Sequence, residues 1–137
     1  MMLEACRRLV REGRYDLALK ALDLERSAAR DDALRLAALH ADEAEIHLEL
    51  GDFDTLLQAV GRVRALSKIP EAVQAWVILL RVRGALEEED FALARTAATE
   101  AAALLGQRPA PELEFHWLLA EARIATATGE GAGARDW

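Results

Sequence analysis

The sequence predicts an all-α fold built from consecutive helical hairpins, and three observations lead to this class. Alanine and leucine, which lose little on entering a helix, supply most of an apolar fraction of 53%, and the chain has only three prolines and one tyrosine. A short segment, which we call the repeated phrase, occurs in two similar forms, GRYDLAL at 13–19 and GDFDTLL at 51–57. No convincing strand pattern interrupts the helical periodicity.

Periodicity places about seven helices, near 2–12, 16–29, 32–50, 54–67, 71–87, 90–105 and 111–128. The connections between them are short, so neighbouring helices should run antiparallel. Gly13 and Gly51 stand where a helix must stop and the backbone can need a positive φ. Asp16, Asp54 and Asp90 lie where a following helix begins, and their carboxylates favour its free N–H groups.

The repeated phrase recurs at a fixed interval. The spacing from Tyr15 to Phe53 equals the spacing from Phe53 to Phe91, and the glycines Gly13 and Gly51 are separated by the same distance along the chain. We call this spacing the repeat interval. A hairpin of two helices cannot cover its apolar face alone, so successive hairpins must stack. The repeat interval therefore predicts a stack of similar units.

The turn between paired helices resembles the tetratricopeptide repeat family, whose units carry G-x-[YF]-x-x-A at this place. The first turn matches fully, with Gly13, Tyr15 and Ala18. The second has Gly51 and Phe53 but Leu56 in place of alanine, and the third has Phe91 and Ala94 but Glu89 in place of glycine. The fourth has Gly129 and Ala134 but Gly131 in place of the aromatic residue. The repeat interval of about 38 residues, which lengthens to about 40 before the last turn, exceeds the usual period of about 34 in this family.

The resemblance implies a right-handed superhelical stack, an α-solenoid similar to tetratricopeptide domains, as one domain over 1–128. The expected units are about 1–31, 32–69 and 70–108, with a capping helix at 109–128 and a glycine-rich tail at 129–137. In this family the first helix of each unit lines a concave groove, where a partner peptide or helix binds.

Charged side chains on the first helices are therefore the candidate partner-binding residues. They are Asp42, Glu45, Glu49, Arg81, Arg83 and Arg123. Asp42, Glu45 and Glu49 are expected on the solvent-exposed side of the helix at 32–50, and the three arginines are expected to point towards one side of the stack. A groove that is acidic at one end and basic at the other would orient a charged partner segment. The alternative is that these residues form the ordinary solvated faces of amphipathic helices.

His40, Glu43 and His47 share one face of the helix at 32–50, because they are three and four positions apart. Imidazole and carboxylate groups are ordinary zinc or iron ligands, so this set is a weak metal candidate. The favoured interpretation is structural: the three lie at a helix junction, where a buried carboxylate needs an arginine from an adjacent unit.

Aromatic residues and the lone cysteine are expected to serve packing. Trp76, Phe115 and Trp117 should pack between units, and Cys6 should be a small core residue. Trp137 could plug a neighbouring groove or merely end the chain.

Composition limits the function classes. A net charge of −7 and a pI near 5.0 argue against nucleic-acid binding. One cysteine excludes an internal disulfide framework and points to a reducing cytoplasm. The longest uncharged stretch near AVQAWVILL is far shorter than the roughly 20 positions of a membrane span, so a soluble protein without membrane partners is expected.

No catalytic arrangement and no cofactor motif emerges, so the sequence predicts a non-catalytic protein–protein interaction module. Three alternatives remain open. The chain could be a regulatory or sensor segment similar to the repeat arrays of large bacterial transcription activators. It could bind a metal or small ligand through His40, Glu43 and His47, or it could self-associate through its C-terminal end.

Overall fold

The computed structural model describes residues 4–29, 31–66, 68–106 and 111–129, and within these ranges it contains helices and turns but no strand. The seven helices of these ranges are α1 (Glu4–Arg11), α2 (Tyr15–Ala28), α3 (Ala33–Leu50), α4 (Phe53–Ala65), α5 (Glu71–Glu87), α6 (Phe91–Leu105) and α7 (Pro111–Thr128). The predicted all-α class is confirmed, and each helix lies close to the bounds expected from the sequence.

The repeated phrase marks the same local structure each time. Tyr15, Phe53 and Phe91 are the first residues of α2, α4 and α6. Gly13 and Gly51 end the preceding helices with φ of 75° and 74°. Glu89 occupies the third such position and also has a positive φ, 59°, although it carries a side chain. The repeat interval is therefore matched by backbone conformation as well as by residue type.

Aspartates cap three helices. Asp52 and Asp90, which are separated by one repeat interval, accept hydrogen bonds from the N–H groups of Thr55 at 3.3 Å and Leu93 at 3.1 Å. Asp32 accepts one from Arg35 N–H at 3.2 Å. Asp90 thus has the predicted role. Asp16 and Asp54 lie inside the first turns of α2 and α4, and Asp52, which the sequence argument passed over, is the cap of α4.

Helix α3 lies between two clusters of buried apolar side chains. Its Leu39 and Ile46 join the smaller cluster, which includes Cys6 and Leu22 of the first two helices. Its Ala41, with Ala37, Ala44 and Leu48, joins the larger cluster, to which α4, α5, α6 and α7 also contribute. Two sides of α3 are therefore buried, and little of its circumference is left for solvent.

Contacts between helices follow the order of the hairpins. The pairs α1–α2, α3–α4 and α5–α6 pack within hairpins, and α2–α3, α4–α5 and α6–α7 pack between them. Helix α5 also packs on both α3 and α7. The ring of Trp76 on α5 meets that of His116 on α7 at 5.0 Å between centroids, and Trp117 Nε1 donates to Ala98 O at 3.2 Å.

The packing predictions are partly confirmed. Cys6 and Trp76 are buried, and Trp117 packs against α6. The prediction for Phe115 is wrong, because 62% of this residue is exposed on the outer side of α7. Gly129 has a positive φ of 79°, like Gly13 and Gly51, whereas Gly131, Ala134 and Trp137 lie outside the described residues. No helix in the described ranges is long and apolar enough to cross a bilayer.

The positive φ of Glu89 leads to a test of local strain. We expect Glu89→Gly to raise the free energy of unfolding by about 0.5–1 kcal/mol, because glycine adopts this conformation without steric cost. The matched control is Glu88→Gly, one position earlier at φ −84°, where glycine should lower stability by about 0.5–1 kcal/mol. Urea denaturation measures both, and a loss of stability in both variants would contradict the assignment.

Candidate functional site

Charged side chains occupy equivalent positions on the first helices of successive hairpins. Glu45 on α3 and Arg83 on α5 are one repeat interval apart, as are Glu49 and Glu87, and Arg123 occupies the matching place on α7 after the longer last interval. We call these five residues the charged face. Four of them, all except Glu87, are among the partner-binding residues predicted from the sequence.

The charged face contains a hollow and an ion pair. Glu49, Arg83 and Glu87 line a shallow hollow of about 330 Å³ between the ends of α3 and α5. Arg123 Nη2 lies 3.3 Å from Glu87 Oε1, which links α7 to α5. Acidic and basic groups therefore face each other across neighbouring helices, instead of gathering at opposite ends as expected.

Glu45 is the half-buried carboxylate of the charged face. Burial raises the pKa of its carboxyl above the ordinary value, and the negative charge of Glu49 adds to this effect. The positive charges of Arg83 and Arg7 act in the opposite direction but do not cancel it. Glu45 is thus a half-buried carboxylate with a basic residue on either side along the series of first helices.

Asp42 does not belong to this face. The prediction that it is solvent-exposed is wrong, since only 1% of the residue is accessible. Asp42 lies towards the first hairpin, close to Cys6. Burial of the Cys6 thiol is the main cause of its raised pKa, and the negative charge of Asp42 is the second cause. A helical projection of 32–50 places Asp42 on the solvent side, but the first hairpin packs against α3 and covers part of that side.

Arg81 also lies apart from the charged face. It lines a separate cavity of about 140 Å³ with residues of α4, α5 and α6, among them Phe53 and Leu93. Residues two apart on a helix differ by about 200° in direction, so Arg81 and Arg83 cannot share one face. The prediction that they point to the same side is wrong.

The His40–Glu43–His47 set forms a second polar cluster, at the junction of α2, α3 and α4. Arg26 of α2 donates to Glu43 Oε2 and also pairs with Asp23. Arg62 Nη1 of α4 lies 3.5 Å from Glu43 Oε1. His40 Nδ1 lies 3.5 Å from Oε2 and His47 Nε2 lies 3.8 Å from Oε1. We call these residues, Arg26, His40, Glu43, His47 and Arg62, the Glu43 cluster.

The surroundings of Glu43 support the structural interpretation. Burial alone would raise the pKa of its carboxyl, but contact with His40 and the charges of Arg26 and Arg62 outweigh burial and lower the pKa. An arginine from the adjacent unit was predicted for this carboxylate, and Arg26 is that arginine. Among the described residues, no group of three or more His, Cys, Asp or Glu side chains could hold a metal ion.

Two residues of the site were missed by the sequence argument, although a signal for both was available. Arg7 lies one repeat interval before Glu45, and Glu87 lies one repeat interval after Glu49. The positions one repeat interval before and after each candidate residue identify both of them. The partners Arg26 and Arg62 carry no such signal, because their contact with Glu43 depends on how three helices pack.

Comparison of the chain with protein-family models, with curated proteins and with solved structures gives no match.

The Glu43 cluster predicts a pH-dependent contribution to stability. A lowered pKa means that the stabilisation is present above the ordinary value of 4.5 and is lost as pH falls through the folded-state value. We expect Glu43→Gln to reduce the free energy of unfolding at pH 7 by about 1–3 kcal/mol, a difference that shrinks below about pH 4. Denaturant titrations from pH 3 to 8 test this, with exposed Glu49→Gln as the control. An equal loss in Glu43→Gln at all pH values would contradict the ionic origin.

Ionisation of Glu45 is expected to change the free energy of unfolding in the opposite direction from ionisation of Glu43. The raised pKa of Glu45 means that stability is complete below the ordinary value and falls as pH rises through the folded-state value, so the charged carboxylate is a net cost near pH 7. We expect Glu45→Gln to leave the free energy of unfolding at pH 7 unchanged or higher. The same titration series measures it, and a clear loss of stability would show that Glu45 serves the fold.

Proposed function

We propose that the chain is a non-catalytic protein–protein interaction module of the tetratricopeptide type, a right-handed superhelical stack that binds a partner segment along the charged face. A reducing cytoplasm suits this proposal, because the one cysteine of the chain is a free and buried thiol.

The observation that carries the proposal is the placement of Glu45. A half-buried carboxylate whose pKa is raised by burial costs stability at neutral pH. Groups kept at such a cost are candidates for function, because a binding partner can restore what the fold leaves incomplete. The carboxylate two positions earlier, Glu43, has its charge satisfied within the chain and needs no partner.

The charges of this face define the chemistry of the partner. Glu45 and Glu49 on α3 suit a lysine or arginine of the partner. Arg83 on α5 and Arg123 on α7 suit carboxylates of the partner. A helix or extended peptide that carries both signs would meet them in a fixed direction. Because Arg123 already pairs with Glu87, a partner carboxylate must compete with that contact, so we expect modest affinity with strong dependence on salt.

The test is a charge exchange that keeps the net charge constant. We expect the double variant Glu49→Lys with Arg83→Glu to lose at least about tenfold in capture of partners from an extract of the source cells, since both signs of the face are reversed. The matched control is Asp16→Lys with Lys20→Glu on α2, which exchanges the same charges at exposed positions outside the hollow.

Quantitative mass spectrometry of proteins retained by the immobilised full chain measures the result, and circular dichroism confirms that each variant is folded. Partners lost from the α3–α5 variant and kept by the α2 variant support the proposal. Identical retention by wild type and both variants would remove the assignment of this face.

A further inference from the structure

The outer side of α7 presents an apolar stripe. Phe115, Leu118, Leu119 and Ala122 are spaced by three, one and three positions and so share one face of the helix. The first three are 62%, 53% and 48% exposed, and no described residue covers them. The opposite side of α7, which holds Leu113, Ala120 and Ile124, is buried against the rest of the protein. We call the four residues the outer stripe.

The outer stripe has a buried counterpart on the preceding first helix. The equivalent residues of α5 are Ala75, Ile78, Leu79 and Val82, and all four are buried. Helix α5 packs on α3, α4, α6 and α7, and this face is enclosed there. The outer stripe is thus the same packing face without its cover.

We propose that the outer stripe binds a second copy of this chain, as an antiparallel pair of α7 helices related by a two-fold axis near Leu118 and Leu119. This inference concerns a different surface from the charged face and does not depend on the function proposed for it.

The stripe is complementary in size to itself. Phe115 and Ala122 lie at equal distances on either side of the midpoint between Leu118 and Leu119. Antiparallel pairing therefore sets the large ring of one copy against the small alanine of the other, twice. A parallel pair would set phenylalanine against phenylalanine and leave a gap between the alanines. Ala122 also lines a shallow hollow, together with Arg123, Thr126 and Ala127, beside which the ring would lie.

Other occupants fit less well. The segment that follows Gly129, EGAGARDW, contains one large apolar side chain, Trp137, which cannot cover three. A head-to-tail contact would need an apolar surface on α1, whose exposed charged residues include Arg7, Arg8 and Arg11. A like-with-like pair of stripes closes after two copies. One helix per copy is a small interface, so we expect a dimer with a micromolar dissociation constant.

Sedimentation equilibrium of the full chain over a wide concentration range tests the proposal. We expect a monomer–dimer equilibrium that Leu118→Glu weakens at least about a hundredfold, because each dimer loses two buried leucines. The control Leu24→Glu, at an exposed leucine on α2, should leave the dimer intact. Both substitutions are on the surface, so circular dichroism should be unchanged.

A size exchange tests the antiparallel arrangement. Phe115→Ala alone and Ala122→Phe alone should each weaken the dimer about tenfold or more, through a lost contact and through crowding. The double variant moves the large side chain to the other position and should restore association to within about threefold of wild type.

Three results would overturn the inference: a monomer up to several hundred micromolar, a dimer insensitive to Leu118→Glu, or a double variant no better than its singles. Removal of residues 130–137 identifies the competing occupant. A wild-type monomer that dimerises only after this truncation would show that the tail covers the stripe.

Discussion

Burial of α3 on two sides is the constraint on which the rest of the structure depends. Leu39 and Ile46 face the first hairpin, while Ala41 and Leu48 face the hairpins that follow, so one helix closes two apolar clusters. Such a helix keeps only narrow strips of its surface for charge. Every ionisable group that it carries must then be neutralised by a neighbour or lie along a strip that other molecules can reach.

Two glutamates on α3 show both solutions. Glu43 points into a junction where guanidinium groups from α2 and α4 reach it, and its negative charge is favoured there. Glu45 is two positions away and faces a different direction, where burial outweighs the attraction of Arg83 and Arg7. The contrast separates a charge that holds hairpins together from one that the fold tolerates. Residue type alone would have placed both in one category.

The sequence was sufficient for what depends on local chemistry. Helix number, the helix starts at Tyr15, Phe53 and Phe91, and the positive φ of Gly13 and Gly51 all follow from turn chemistry repeated at a constant interval. It failed where a side chain's environment is set by other helices. Asp42 was assigned to solvent because a helical projection cannot show that the first hairpin covers it. Phe115 was assigned to a core because hydrophobicity does not reveal whether a covering helix is present.

The single thiol of the chain lies in the smaller of the two clusters, and this position has a practical consequence. Cys6 is almost fully enclosed, its Sγ is 3.9 Å from Ala18 O, and burial raises its pKa, so the reactive thiolate is scarce while the first hairpin is closed. An alkylating reagent can modify it only during moments when α1 separates from its neighbours. The rate of Cys6 alkylation, followed by mass spectrometry, therefore reports how often the first hairpin opens, without an engineered label.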